Sequence, residues 1–215
     1  MRMPAAVLAS LAVSVASAAE ETVLVDPSSQ YQQFDGWGVS LCWWANVVGR
    51  WSDPKREAVA NLLFDPKDGL GLDIVRYNIG GGDDPTHQHM RVGADIEGYL
   101  PKAEQAYNWN ADPGQRWMLL AAVERGVTIT EAFANSPPYW MTKSGCSSGG
   151  KNGRANNLRD DHYSAFADYL ASVLRHFKDT YSLEFTSIAP MNEPETGYWK
   201  LKNKQEGCHF DNKAQ

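Results

Sequence analysis

Ser187-Ile188-Ala189-Pro190-Met191-Asn192-Glu193-Pro194 is the stretch on which the reading of this chain turns. It is largely apolar until it meets an amide, an acid and a proline. A strand buried in a parallel sheet reads this way, with its polar chemistry held back to the C-terminal end. Working upstream, residues 36–42, 73–78 and 127–134 repeat the arrangement, and the strand around Ile188 is expected over residues 185–191. Helical patterns lie between them. Ser52-Asp53-Pro54 supplies a cap and a first-turn proline, followed by an apolar face of Val59, Leu62 and Leu63. A further helix opens at Asp112-Pro113, carries Trp117, Leu119, Leu120 and Val123, and stops at Gly126. In the clearest helix Asp160 is the expected cap, and Phe166, Leu170, Leu174 and Phe177 recur at helical spacing. Strand and helix alternate four times, the last strand without its helix, which predicts an α/β fold with a parallel sheet. Residues 80–110 and 144–157 read as long loops within that alternation.

Bulk properties narrow the function. The 215 residues hold one domain or part of a larger one. A hydrophobic content of 43% is enough for a packed core, and a net charge of −6 argues against nucleic acid as a partner. Met1-Arg2-Met3, a small apolar run over residues 5–16 and Ala16-Ser17-Ala18 together predict a signal peptide over residues 1–18, hence a secreted, extracellular protein. That run is too short and too rich in Ala and Ser for a membrane span, and no other stretch is suited to one. Residues 21–26 alternate like a short edge strand. Of Cys42, Cys146 and Cys208, the last two fall on neighbouring loops where a disulfide is expected; three unrelated thiols are the alternative.

Residues able to carry chemistry gather where strands end. Trp43 and Trp44 follow the first strand. Arg76 and Asn78 lead into Gly80-Gly81-Gly82-Asp83-Asp84 after the second. Asn135-Ser136-Pro137-Pro138-Tyr139-Trp140 ends the third, and Asn192-Glu193 the fourth. In a parallel barrel this end is the active face. An Arg inside the apolar run Ile74 to Tyr77 requires an acid partner. Trp43, Trp44 and Trp140 are candidates for either core packing or a platform on which sugar rings stack. The glycine run lacks the Lys-Ser/Thr of a phosphate loop and reads as a tight turn. His87 and His89 lie near Asp83 and Asp84 but lack further ligands in sequence, so no metal is expected.

These motifs resemble glycoside hydrolase family 30, within the clan of retaining (β/α)8 glycosidases. The resemblance rests on Phe34-Asp35-Gly36-Trp37-Gly38, Arg76-Tyr77-Asn78-Ile79-Gly80-Gly81-Gly82, Ser136-Pro137-Pro138-Tyr139-Trp140-Met141 and Met191-Asn192-Glu193-Pro194. The wording around them is most similar to the fungal endo-β-1,6-galactanase branch. The resemblance implies that Glu193 is the acid/base, that Asn192 hydrogen-bonds the sugar 2-hydroxyl and that Arg76 supports the nucleophile. It implies sugar contacts from Asp83, Trp43, Trp44, Asn135 and Trp140. Several members carry Trp where this chain has Asn135, which exchanges stacking for hydrogen bonding.

The implied architecture is a (β/α)8 TIM barrel with a β-sandwich side domain, to which residues 19–33 would contribute the N-terminal strand. Residues 34–215 would be its N-terminal half, with four β/α units, and the nucleophile, on the seventh strand in the family, would be absent from the chain. The expected activity is hydrolysis of β-1,6-linked galactan by a monomer without cofactor, and little activity is expected from these residues alone. Alternatives are a β-1,6-glucanase, glucosylceramidase or xylanase of the same family, or a non-catalytic carbohydrate-binding protein.

Overall fold

The computed structural model describes residues 22–215; the expected signal peptide lies outside the described residues. The chain divides into two units, Met1–Phe34 and Asp35–Gln215. In the first, residues 22–34 form no strand, so the expected short edge strand is not formed over its described residues. Alternation needs a partner strand before it becomes a ladder. Its local order is a turn in which the Asp26 carboxylate accepts the Ser28 N–H (3.0 Å) and the Ser28 hydroxyl (2.7 Å).

The second unit carries β1 (Gly38–Ser40), α1 (Trp44–Val48), α2 (Asp53–Phe64), β2 (Ile74–Asn78), α3 (Pro113–Glu124), β3 (Ile129–Phe133), α4 (Tyr163–Tyr181) and β4 (Ser187–Ala189). A 3-10 turn, Tyr139–Met141, follows β3. The four strands are parallel and pair in chain order, β1-β2-β3-β4. This is the α/β sheet expected, with strands shorter than predicted. The short α1 was not anticipated. Its five residues are too few to show a helical repeat in sequence.

Burial revises two helices. In α2 the buried residues are Ala60 and Phe64, and Leu62, assigned to the apolar face, is 63% exposed. In α4 the cap position falls on His162, while Asp160 is exposed and pairs with Lys143 at 2.7 Å. The expected repeat there is otherwise present: Phe166, Tyr169, Leu170, Val173 and Phe177 are buried, and Leu174 packs beside them.

The core lies between the sheet and its helices. Tyr77 of β2 meets Phe177 of α4 at 5.2 Å and Phe185 at 5.9 Å between ring centroids. Helix α3 is tied to the same strand. The Gln115 amide oxygen accepts the Asn78 N–H (3.1 Å) while its nitrogen donates to the Asn78 carbonyl (2.9 Å), which satisfies the strand where its ladder ends. Helix α4 also holds the loop beyond β2, because the buried Tyr169 hydroxyl donates to the Gly80 carbonyl (2.7 Å) and accepts the Tyr99 N–H (3.2 Å). The glycine run is there for close approach. A Cβ on Gly80 would lie 2.6 Å from Ile96, and one on Gly81 2.6 Å from the Pro137 carbonyl oxygen.

Candidate active site at the C-terminal end of the sheet

Sheet register aligns Ser40, Arg76, Glu131 and Ser187 in one row across the four strands. Arg76 and Glu131 form an ion pair. Glu131 is thus the acid that an Arg in an apolar strand requires. The sequence reading did not name it, although its place in the third strand was the available signal. The Arg76 guanidinium lies over the Phe133 ring, 3.6 Å from its centroid, and donates from Nη1 to Asn192 Oδ1 at 3.1 Å. One side chain thereby ties β2, β3 and the segment after β4 together. The Asn192 backbone N–H adds a bond to the Ala134 carbonyl at 3.1 Å, so Asn192 is held from both sides.

Glu193 follows directly. Its φ of 47° lies in the left-handed region, uncommon for a side-chain-bearing residue. Two groups hold that backbone: Thr196 Oγ1 (3.0 Å) and Trp199 Nε1 (3.1 Å) both donate to the Glu193 carbonyl. The Tyr198 hydroxyl donates to the Glu193 carboxylate, and that carboxylate pushes the Tyr198 phenol pKa up. Glu193 is exposed. Its indole neighbour is Trp199, and Tyr198 covers its carboxylate; neither was among the expected site residues.

A second polar layer lies behind this row. Asn78, fully buried, donates to Glu206 Oε2 at 2.7 Å and accepts the Asn135 side-chain N–H at 3.1 Å. The Gly81 N–H donates to Glu206 Oε1 at 2.9 Å. Burial pushes the Glu206 carboxyl well above the usual carboxylate range. Glu206 was missed because it follows the last strand in a segment without periodicity; its neighbours are assigned only by folding. Asn135 donates its amide to Asn78 and Cys42, so it acts as an internal strut.

The remaining candidates separate. Trp44 Nε1 donates to the Ser40 carbonyl and Trp140 Nε1 to the Leu100 carbonyl, both at 2.9 Å, and both rings pack against the core. Trp43 lies 5.7 Å from the Arg91 guanidinium. Asp83 is engaged by His87 Nδ1 at 2.9 Å, in a loop flanked by a cavity of ≈ 300 Å³ that Gly81, Gly82 and Tyr139 also line. The expected Cys146–Cys208 disulfide is not formed, and both thiols are free. Cys146 Sγ faces Ser148 (3.0 Å) and His89 (3.4 Å), whereas Cys208 turns toward the His209 carbonyl (3.7 Å). Neighbouring loops alone do not aim two sulfurs at each other.

Residues 20–215 match the family described as O-Glycosyl hydrolase family 30. The chain belongs to that family. It is 33% identical to an endo-beta-1,6-galactanase of Hypocrea rufa, across 97% of this chain and 48% of that protein. It is 28% identical to an exo-beta-1,6-galactobiohydrolase of Bifidobacterium longum subsp. longum, across 85% of this chain and 16% of that one. A conserved exported protein from Bacteroides fragilis superposes with a TM-score of 0.76 at 30% identity, covering 86% of this chain and 39% of its own. The family 30 chain therefore spans about half the length of its galactanase relative. No helix among the described residues is long and apolar enough to cross a membrane.

Proposed function

We propose that this family 30 chain forms part of a secreted, retaining endo-glycosidase acting on β-1,6-linked galactan, with Glu193 as its acid/base. The observation that carries the reading is the clamp of Arg76 on Asn192 at 3.1 Å, immediately before a glutamate in a left-handed backbone. Strained positions of this kind persist where a side chain is needed in one place, and they concentrate at functional sites. Asn192 is oriented to bond a sugar hydroxyl beside the scissile oxygen, which Glu193 protonates as the bond breaks. The second carboxylate, which attacks the anomeric carbon from roughly 5 Å away in a retaining site, is assigned to a strand outside residues 1–215 of a (β/α)8 barrel. The galactan preference is supported by the two relatives, both named for β-1,6-galactose chemistry.

In a polypeptide that carries both carboxylates, Glu193→Gln is expected to lose about 100-fold or more of kcat/KM on galactan, within the usual range for a general acid. Aryl galactosides with good leaving groups, which need little protonation, are expected to lose far less. Equal losses on both, or none on galactan, would remove Glu193 from this role. A panel of β-1,6-galactan, β-1,6-glucan, xylan and glucosylceramide tests the substrate. Hydrolysis confined to one of the last three reassigns it, and glycan binding without hydrolysis supports a binding protein instead.

A further inference from the structure

The loop after β2 and the loop after the 3-10 turn meet at a cluster in which only Asp83 has been given a role, the sugar contact implied by the family resemblance. Asp83, His87 and His89 come from the first loop and Cys146 from the second, and their ligand atoms all lie within 4.8 Å of one another. His87 Nδ1 is 2.9 Å from Asp83 Oδ1, His89 Nδ1 is 3.8 Å from Asp83 Oδ2, and His89 Nε2 is 3.4 Å from Cys146 Sγ. The group is sheltered: the side chains of Asp83, His87 and His89 are 10%, 28% and 11% exposed, and Cys146 is fully buried.

We propose that Asp83, His87, His89 and Cys146 bind a zinc-class divalent cation. The donor set fits in number, type and spacing. A tetrahedron with metal–nitrogen, metal–oxygen and metal–sulfur bonds of about 2.0–2.3 Å has edges of about 3.3–3.7 Å, and one ligand atom from each of the four residues lies within 4.8 Å of the others, near enough to close on a single ion. One thiolate and one carboxylate balance the two charges of the ion, and two imidazoles with a thiolate select zinc over magnesium or calcium. If His89 binds through Nδ1, its Nε2 keeps an outer partner in the Ser148 hydroxyl at 3.0 Å. Four protein ligands fill the coordination sphere, so the ion is structural and not hydrolytic. It would staple two loops that otherwise hold little regular structure. The sequence reading found the His pair without enough ligands; folding brings Cys146 to it across more than fifty residues.

The test is titration of the chelator-treated full chain with Co²⁺ alone, followed spectroscopically, with far-UV circular dichroism on every variant. The site predicts one Co²⁺ per chain, visible bands of tetrahedral intensity, a thiolate-to-cobalt band and displacement by Zn²⁺. Cys146→Ser should abolish the thiolate band. His87→Ala, the least buried of the four, should bind more than about 100-fold more weakly, since even outer partners of metal ligands are worth 10–100-fold. Zn²⁺ at a hundredfold excess over its Kd should raise Tm by about 5–10 °C. The absence of saturable uptake, a thiolate band that survives in Cys146→Ser, or wild-type affinity in folded His87→Ala would each overturn the proposal. Because His87 is partly exposed on a loop, its variant decides the matter even if Cys146→Ser does not fold.

Discussion

Glu193 occupies a backbone conformation that glycine would hold with less strain. The left-handed region costs an ordinary residue about 1–2 kcal/mol, and here φ is 47°. Its carbonyl is anchored by Thr196 and Trp199, so the strain is maintained by side chains that arrive later in the chain. Replacing Glu193 with Gly relieves the strain but adds chain entropy to the unfolded state, worth about 0.4–1 kcal/mol. The expected result is a variant between unchanged and about 1 kcal/mol more stable in urea denaturation, and without the general-acid function proposed for Glu193. A loss above about 1 kcal/mol would show that the backbone here is not strained. Sequence named Glu193, Asn192 and Arg76 because each sits in a local pattern that strand-end chemistry explains. It did not name Glu131, Tyr198 or Glu206 as site residues, because what marks them is their contacts with residues 55, 5 and 128 positions away.

At the scale of elements, helix α4 places the loop that carries Asp83. Tyr169 does this through one hydroxyl, bonded to the Gly80 carbonyl and the Tyr99 N–H in a fully buried position. Tyr169→Phe keeps the ring and strands both backbone groups, which costs about 1–3 kcal/mol when buried polar groups go unpaired. Native-state hydrogen exchange should report faster exchange at the Tyr99 amide, with β3 amides slowed or quickened only in proportion to global stability. Unchanged exchange at Tyr99 would count against this strut. The helix itself was legible because its buried positions recur every three or four residues. Its start was misjudged because Asp160, a good cap by type, pairs with Lys143 instead. Alternation near Val23 was read as a strand, yet a strand exists only when a second one bonds to it.

For the molecule as a whole, acids buried away from water set a pH dependence. Burial pushes the Asp112 carboxyl up to about 7, against partial relief from the Tyr77 hydroxyl (2.7 Å) and Gln115 (2.8 Å). An acid with a raised folded pKa binds its proton more tightly in the folded state. The fold is therefore favoured most below the usual carboxylate pKa near 3.8, and stability is lost as pH rises toward about 7. Glu206 acts in the same direction. Turn carboxylates such as Asp65 and Asp84, held low by hydrogen bonds, act in the opposite direction, so the clean observable is a difference. Asp112→Asn keeps an acceptor for Tyr77 and cannot ionise. Relative to wild type, it should gain on the order of 2–4 kcal/mol between pH 4 and pH 8. A gap that does not change with pH would place the Asp112 carboxyl in its ordinary range.

Sequence by itself determined the parallel α/β arrangement, the clustering of polar and aromatic residues at the strand ends and the family of this chain. Those depend on short-range periodicity and on motifs a few residues long, which the chain writes in order. Only the tertiary structure decided which acid answers Arg76, that Asn135 is a strut, that Cys146 faces His89 and not Cys208, and that a buried glutamate supports the glycine loop. Each of those depends on atoms brought within hydrogen-bonding reach from distant positions. That proximity comes from packing helices onto a sheet, and no local pattern encodes it.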